Sequence, residues 1–205
     1  MQVSPVTKFH SGAGYQYEDS VIYGFTHTNK GHWNLCHIPL LPVTGTPTPG
    51  DYCSPFSHER ESAAPGYYQV FLDRYGVDAQ LSSTLRCAFH KYTYPAGAAP
   101  AVLADLQRSN EHVRAWDIRK EGDNVFAGWQ QTGEKMYFYA VANRPVTGIE
   151  PVVEGDREVR IVRFGEGDGA LELRIGFSFV SEKNARENLE AETVSYTHLT
   201  LPTTS

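Results

Sequence analysis

Cysteine is scarce in this 205-residue chain: Cys36, Cys53 and Cys87 form no CxxC pair, so there is no disulfide framework and no obvious zinc motif, and at most one internal bridge. Long apolar runs are also missing. The longest, such as residues 38–43, stops far short of the roughly 20 residues that cross a bilayer, and the N-terminus lacks the basic flank and hydrophobic stretch of a signal peptide. Basic charge is not in excess: 18 Lys and Arg against 24 Asp and Glu leave −6, with no Lys/Arg stripe. An electrostatic grip on nucleic acid or on an anionic membrane is therefore excluded as a reading. No Gly-rich phosphate loop opens a helix, no nucleophile elbow surrounds a serine, and no internal repeat is visible.

What is present is aromatic and turn-forming. With 12 Tyr, 10 Phe, 3 Trp, 18 Gly and 12 Pro, the composition leans towards an all-β domain with many turns. Alternation at period two places Leu171, Leu173, Ile175, Phe177 and Phe179 on one face, following residues 158–164 across a Gly-rich turn as a hairpin. Val77, Ala79, Leu81 and Leu85 share a face in the middle of a three-strand meander over residues 67–94. Residues 113–120 and 125–131 flank another turn, and residues 136–141, apolar on both faces, form the best candidate for a central strand. The pattern predicts two packed antiparallel sheets, a β-sandwich.

One helix is predicted after a Ser181 cap, with Glu182 and Glu187 opposite Arg186 and Lys183, and with a narrow Ala185/Leu189 stripe that has no evident partner. The domain division is then 1–180 for the sandwich, 181–192 for a linker helix and 193–205 for a tail of different character.

Several groups invite chemistry. His27, His32, Cys36 and His37 lie close in sequence, but their spacing fits no standard zinc site, and a strand over residues 33–41 would point Cys36 and His37 to opposite faces. Residues 24–34 read either as a sugar-facing loop, with hydrogen-bonding groups beside an exposed Trp33, or as a surface turn whose tryptophan packs on the core. Ser57 and His58 are sequence neighbours that face apart on an extended segment, and the carboxylate pairs sit in turns or on a helix face. No complete catalytic set emerges.

Three stretches carry a resemblance. GFTHT (residues 24–28), SPFSHERESAAPGYYQVFLDRYGVDAQLSSTLRCAFHKYTYP (residues 54–95) and FSFVSEKNARENLEAE (residues 177–192) resemble, in order, the N-terminal domain of glycoside hydrolase family 92, the calcium-dependent α-mannosidases. The resemblance implies a supersandwich of the galactose mutarotase-like kind, followed in the whole enzyme by an (α/α)6 catalytic domain. It implies exo-acting, inverting hydrolysis of terminal α-mannosides of glycans, with both catalytic carboxylates and most calcium ligands in that second domain, and a secreted or periplasmic location. No catalytic residue and no metal ligand is expected here. His27, Trp33 and His58 are the expected sugar-side contacts, and the expected partners are a mannose-containing glycan and the catalytic domain of the same polypeptide. A stand-alone carbohydrate-binding module is the alternative.

The chain departs from the family pattern in places. It is expected to begin late, lacking a Gly-rich opening segment. Where many relatives have WDWCSGY it has Phe9 to Tyr15, FHSGAGY, and their LSGTG loop is replaced by residues 29–33. Residues 194–205, VSYTHLTLPTTS, resemble translated sequencing-adaptor tails, so the natural sequence is expected to differ after about Glu192.

Overall fold

The computed structural model describes residues 2–194; the expectation about a foreign tail falls almost wholly on residues 195–205, outside the described residues. The chain opens with short strands β1 (Ser4–Val6), β2 (Val21–Ile22), β3 (Gly24–Thr26), β4 (Asn29–Lys30), β5 (Trp33–Asn34), β6 (Leu40–Val43) and β7 (Ser54–Pro55). After a 3-10 turn at His58–Arg60 come β8 (Glu61–Ala64), β9 (Tyr67–Leu72), β10 (Val77–Ser83), β11 (Cys87–Thr93) and β12 (Ala101–Ala104). The remainder is β13 (Ala115–Gly122), β14 (Val125–Gln131), β15 (Lys135–Ala142), β16 (Val146–Glu154), β17 (Arg157–Phe164), β18 (Leu171–Ser178) and helix α1 (Glu182–Val194).

Two antiparallel sheets hold most of these strands, in the orders β1-β3-β6-β12-β17-β16 and β13-β14-β15-β18-β11-β10-β9-β8. Phe25, Leu40, Val102 and Val162 from the first face Leu81, Tyr92, Phe138 and Ile175 from the second in one buried cluster. Each such side chain contributes roughly 1.5–3 kcal/mol of burial, which makes this layer the main source of stability. The fold is the all-β sandwich with a short C-terminal helix that the alternation predicts. The meander β9-β10-β11, the β13/β14 hairpin and the central place of β15 also agree with the sequence.

Four local expectations fail, each for a tertiary reason. β17 and β18 do not form a hairpin: β17 pairs with β12 and β16, whereas β18 inserts between β15 and β11 of the other sheet. The Gly-rich turn between them is thus a crossover from sheet to sheet, which period-two alternation cannot distinguish from a hairpin. Leu85 and Phe179 fall beyond the ends of their strands, at 77% and 48% exposure. Of the helix ion pairs, Lys183 does meet Glu187 at 3.6 Å, but Glu182 pairs with Arg119 at 2.7 Å and Arg186 with Glu190 at 2.7 Å. Finally, the Ala185/Leu189 stripe does have a partner.

That partner is the outer face of the larger sheet. Ser181 caps α1 by accepting from Asn184 N at 3.1 Å, and Ala185 and Leu189 are buried against β18 and β15. Gly176 permits the approach, since a Cβ there would stand 2.1 Å from the Ala185 carbonyl oxygen. Asn188 donates to the Phe177 carbonyl at 2.8 Å, and Glu192 accepts from Arg86 Nε at 2.7 Å. Helix docking also explains why Gly176 and Ser178, on the face opposite Leu171, Leu173 and Ile175, are buried.

A Gly176→Val substitution is expected to force the helix off the sheet and to destabilise the domain by about 1–3 kcal/mol, read as a lower urea midpoint with the sandwich still folded. An unchanged midpoint would show that the helix contributes nothing to the domain.

Candidate functional site

The replaced loop after Thr28 is a tight hairpin. β4 and β5 pair Lys30 with Trp33 across a two-residue turn, with Gly31 at φ 62 in its first central position, where a side chain would be strained. The turn lifts Trp33 out of the sandwich. Its indole lies against Gly12, where a Cβ would come within 3.4 Å of the ring, yet it remains 55% exposed.

Beside it opens a cavity of about 340 Å³, bounded by residues 10–11, Lys30, residues 33–35, Asn110 and Glu111. Asn110 stitches its walls together. Its Nδ2 donates to the Ser11 carbonyl at 2.9 Å and to the Asn34 carbonyl at 2.7 Å, its Oδ1 accepts from His10 N, and its own N donates to Leu35 O at 2.9 Å. Asn34 anchors the floor by donating to Ser4 Oγ at 2.8 Å and accepting from Cys36 N at 2.8 Å.

Behind this wall the chain does not run as one strand over residues 33–41: β5 ends at Asn34 and β6 begins at Leu40. Cys36 and Ile38 sit at φ 55 and 51, a costly conformation for a β-branched residue. Both backbone groups of Ile38 are claimed by side chains: its N donates to Gln130 Oε1 at 2.8 Å, and its carbonyl accepts from His27 Nδ1 at 2.9 Å.

The three expected sugar contacts are placed very differently. His27 is fully buried. Because the Ile38 carbonyl can only accept, Nδ1 of His27 carries the proton, and in the neutral ring Nε2 must accept. It does so from His90 Nε2 at 3.0 Å, and His90 Nδ1 in turn accepts from the Tyr92 hydroxyl. The relay is fully satisfied only with both imidazoles neutral, and burial holds both low, His27 at about 4.

His58 has both ring nitrogens engaged as well, Nδ1 by Glu61 and Nε2 by the Tyr17 carbonyl at 2.7 Å. Both partners accept, so the ring is an imidazolium, and those two bonds raise its pKa. It stacks on Tyr17 at 4.0 Å and stabilises a half-exposed aromatic surface, with no N–H free for a sugar. Of the three, Trp33 is the one that borders this cavity.

Lys30, within the loop of residues 24–34 read as sugar-facing, borders that cavity, and so does Glu111, which reasoning from sequence missed. Glu111 Oε2 accepts from Thr132 Oγ1 at 2.7 Å and from His37 Nε2 at 2.9 Å, and Thr132 followed by His37 holds its carboxyl below the usual range. His37 itself is buried and held low by desolvation, and its Nδ1 accepts from Thr28 Oγ1 at 2.8 Å. It therefore contacts Glu111 as a neutral donor at pH 7, not as an ion pair. No spacing rule links residues 37, 111 and 132.

The relay makes a signed prediction. His27 binds a proton less readily folded than unfolded, so its contribution is complete above the ordinary value of 6.5 and is lost as pH falls through about 4. Unfolding free energy should fall by roughly 3 kcal/mol across that window on account of His27, and His27→Gln should show a shallower decline in urea titrations at pH 7, 5.5 and 4.5. Parallel pH slopes for the two proteins would contradict the neutral relay.

Comparison with known proteins gives a consistent answer. The family model described as the glycosyl hydrolase family 92 N-terminal domain matches residues 1–189. No curated protein sequence matches the chain. Among solved structures, the family GH92 α-mannosidase BT3965 from Bacteroides thetaiotaomicron is similar at 24% identity and a TM-score of 0.84, over 94% of this chain and 32% of that one. The GH92 glycosyl hydrolase ccman5 is similar at 25% identity and a TM-score of 0.77, over 97% and 31%. The GH92 inverting mannosidase BT2199 from the same Bacteroides species gives 22% identity and a TM-score of 0.78, over 93% and 28%. The chain thus spans about a third of the length of these structures, and it belongs to the glycosyl hydrolase family 92 N-terminal domain family.

Proposed function

We propose that this chain is the sugar-facing N-terminal domain of an exo-acting, inverting α-mannosidase, contributing the wall beside Trp33 and a surface for a catalytic domain in the same polypeptide. The observation that carries the reading is an exposed indole bordering an open, polar-edged cavity on a family 92 sandwich. Sugars bind by laying an apolar ring face on an aromatic while fixed polar groups take the hydroxyls, and this cavity supplies both kinds of surface.

Inverting hydrolysis needs two carboxyl groups on opposite faces of the sugar, one protonating the glycosidic oxygen and one activating water. The cavity is bordered by a single carboxylate, Glu111, and its lowered pKa suits an acceptor, not a proton donor. In this reading the acid and the base lie in the catalytic domain. Calcium, which would hold hydroxyls of the terminal mannose through oxygen ligands, belongs there too. Among the described residues no three His, Cys, Asp or Glu side chains cluster closely enough to hold an ion.

A second reading, a binding module acting without catalysis, rests on the same exposed indole beside a polar-edged cavity. Calorimetry against mannose-containing glycans separates the two, because a half-site should bind weakly. The purified chain is expected to release no detectable aryl alcohol from an aryl α-mannoside, and turnover that is abolished by calcium chelation would overturn the proposal.

A further inference from the structure

The polar groups around the Trp33 cavity are mostly committed to the fold. Both amide groups of Asn34 and of Asn110 are taken up by neighbouring segments, and Ser11 Oγ donates to the Lys8 carbonyl at 2.8 Å. Glu111 is different. Its Oε2 takes two hydrogen bonds, while its Oε1 takes none among the described residues, and 41% of the side chain is exposed at the cavity edge.

We infer that Glu111 is the specificity-determining acceptor of this cavity, selecting an uncharged, hydroxyl-bearing ring seated on Trp33, with His37 and Thr132 as its positioning residues. The inference deepens the sugar-facing reading and rests on it. Two donors converging on one carboxylate oxygen fix the side-chain torsions and leave the other oxygen in a set direction, so a hydroxyl can donate to it without freezing a rotamer-rich side chain. The donors are themselves held: His37 is buried with Nδ1 bonded to Thr28 Oγ1, and Thr132 is buried. Lys30, across the hairpin from Trp33, is exposed and makes no hydrogen bond or ion pair among the described residues; its ammonium acts on Glu111 only at longer range, so the charge held in place at the cavity is the carboxylate. An immobile negative charge with a free oxygen attracts hydroxyl hydrogens and repels a carboxylate or phosphate on the ligand.

The test is a titration of the purified chain followed by the Trp33 indole N–H in two-dimensional NMR, with methyl α-mannopyranoside and with mannuronic acid as probes. Wild type is expected to give a saturable shift with the neutral sugar and at least about tenfold weaker binding of the acid. Glu111→Gln should weaken the neutral sugar about tenfold and narrow or reverse the preference over the acid, with the melting temperature unchanged. Thr132→Val should fall between these and raise the pH at which the Glu111 carboxyl titrates, a readout that loss of packing alone would not move. Absence of any saturable shift in wild type would overturn the sugar-facing reading and this inference with it. A shift at Trp33 that Glu111→Gln leaves untouched, or equal affinity of wild type for the two probes, would overturn the role of Glu111 alone.

Discussion

The structure depends on the way the backbone of Ile38 is held. A β-branched residue in the left-handed region carries a cost of order 1–3 kcal/mol, and an unpaired buried amide or carbonyl would add a similar amount. Gln130 Oε1 and His27 Nδ1 remove the second cost and so make the first tolerable. Gln130 comes from β14 and also donates to the carbonyls of Leu106 and Arg108, while His27 follows β3 and is bonded to His90 in β11. One kinked residue is thereby fastened to both sheets and to the loop that follows β12.

The consequences reach the cavity. With Ile38 fixed, His37 is fixed beside it, and the wall containing Asn34 and Leu35 is closed by Asn110 from the loop that Gln130 also grips. Arg108 in that loop lies over the rings of Phe9 and Tyr23 at 4.9 and 5.3 Å, tying the segment before Gly12 to the same frame. Trp33 and Glu111 come from segments far apart in sequence, yet a buried network reaches both. The cavity is preorganised by core hydrogen bonds together with the Asn110 bonds that join its rim.

The opposite flank of the domain works by packing. Helix α1 covers β18 and β15 because Gly176 lets it approach, and Tyr137 and Tyr139 of β15 are half-buried. The larger sheet is therefore covered on its core face by the smaller sheet and, in part, on its other face by the helix. The Tyr17/His58 stack, with Glu61 receiving the hydroxyls of Tyr15 and Tyr68, forms a third rigid patch on the segment that continues from Gly12.

The sequence by itself determined the fold class, eight of the eighteen strands among the described residues, the Ser181 cap and the family, because alternation, turn residues and capping are local and family motifs survive as contiguous words. It also singled out Trp33, whose flanking loop is visibly polar. Only the tertiary structure decided that β17 and β18 part company, since alternation records which face is apolar but not which strand lies alongside. Burial of His27 and complete engagement of His58 were equally illegible: a histidine beside polar residues reads the same whether its nitrogens meet water or carbonyls. Glu111 acquires its role from His37 and Thr132, at separations of 74 and 21 residues. A hydrogen bond depends on distances that folding alone creates, and linear spacing carries no trace of them.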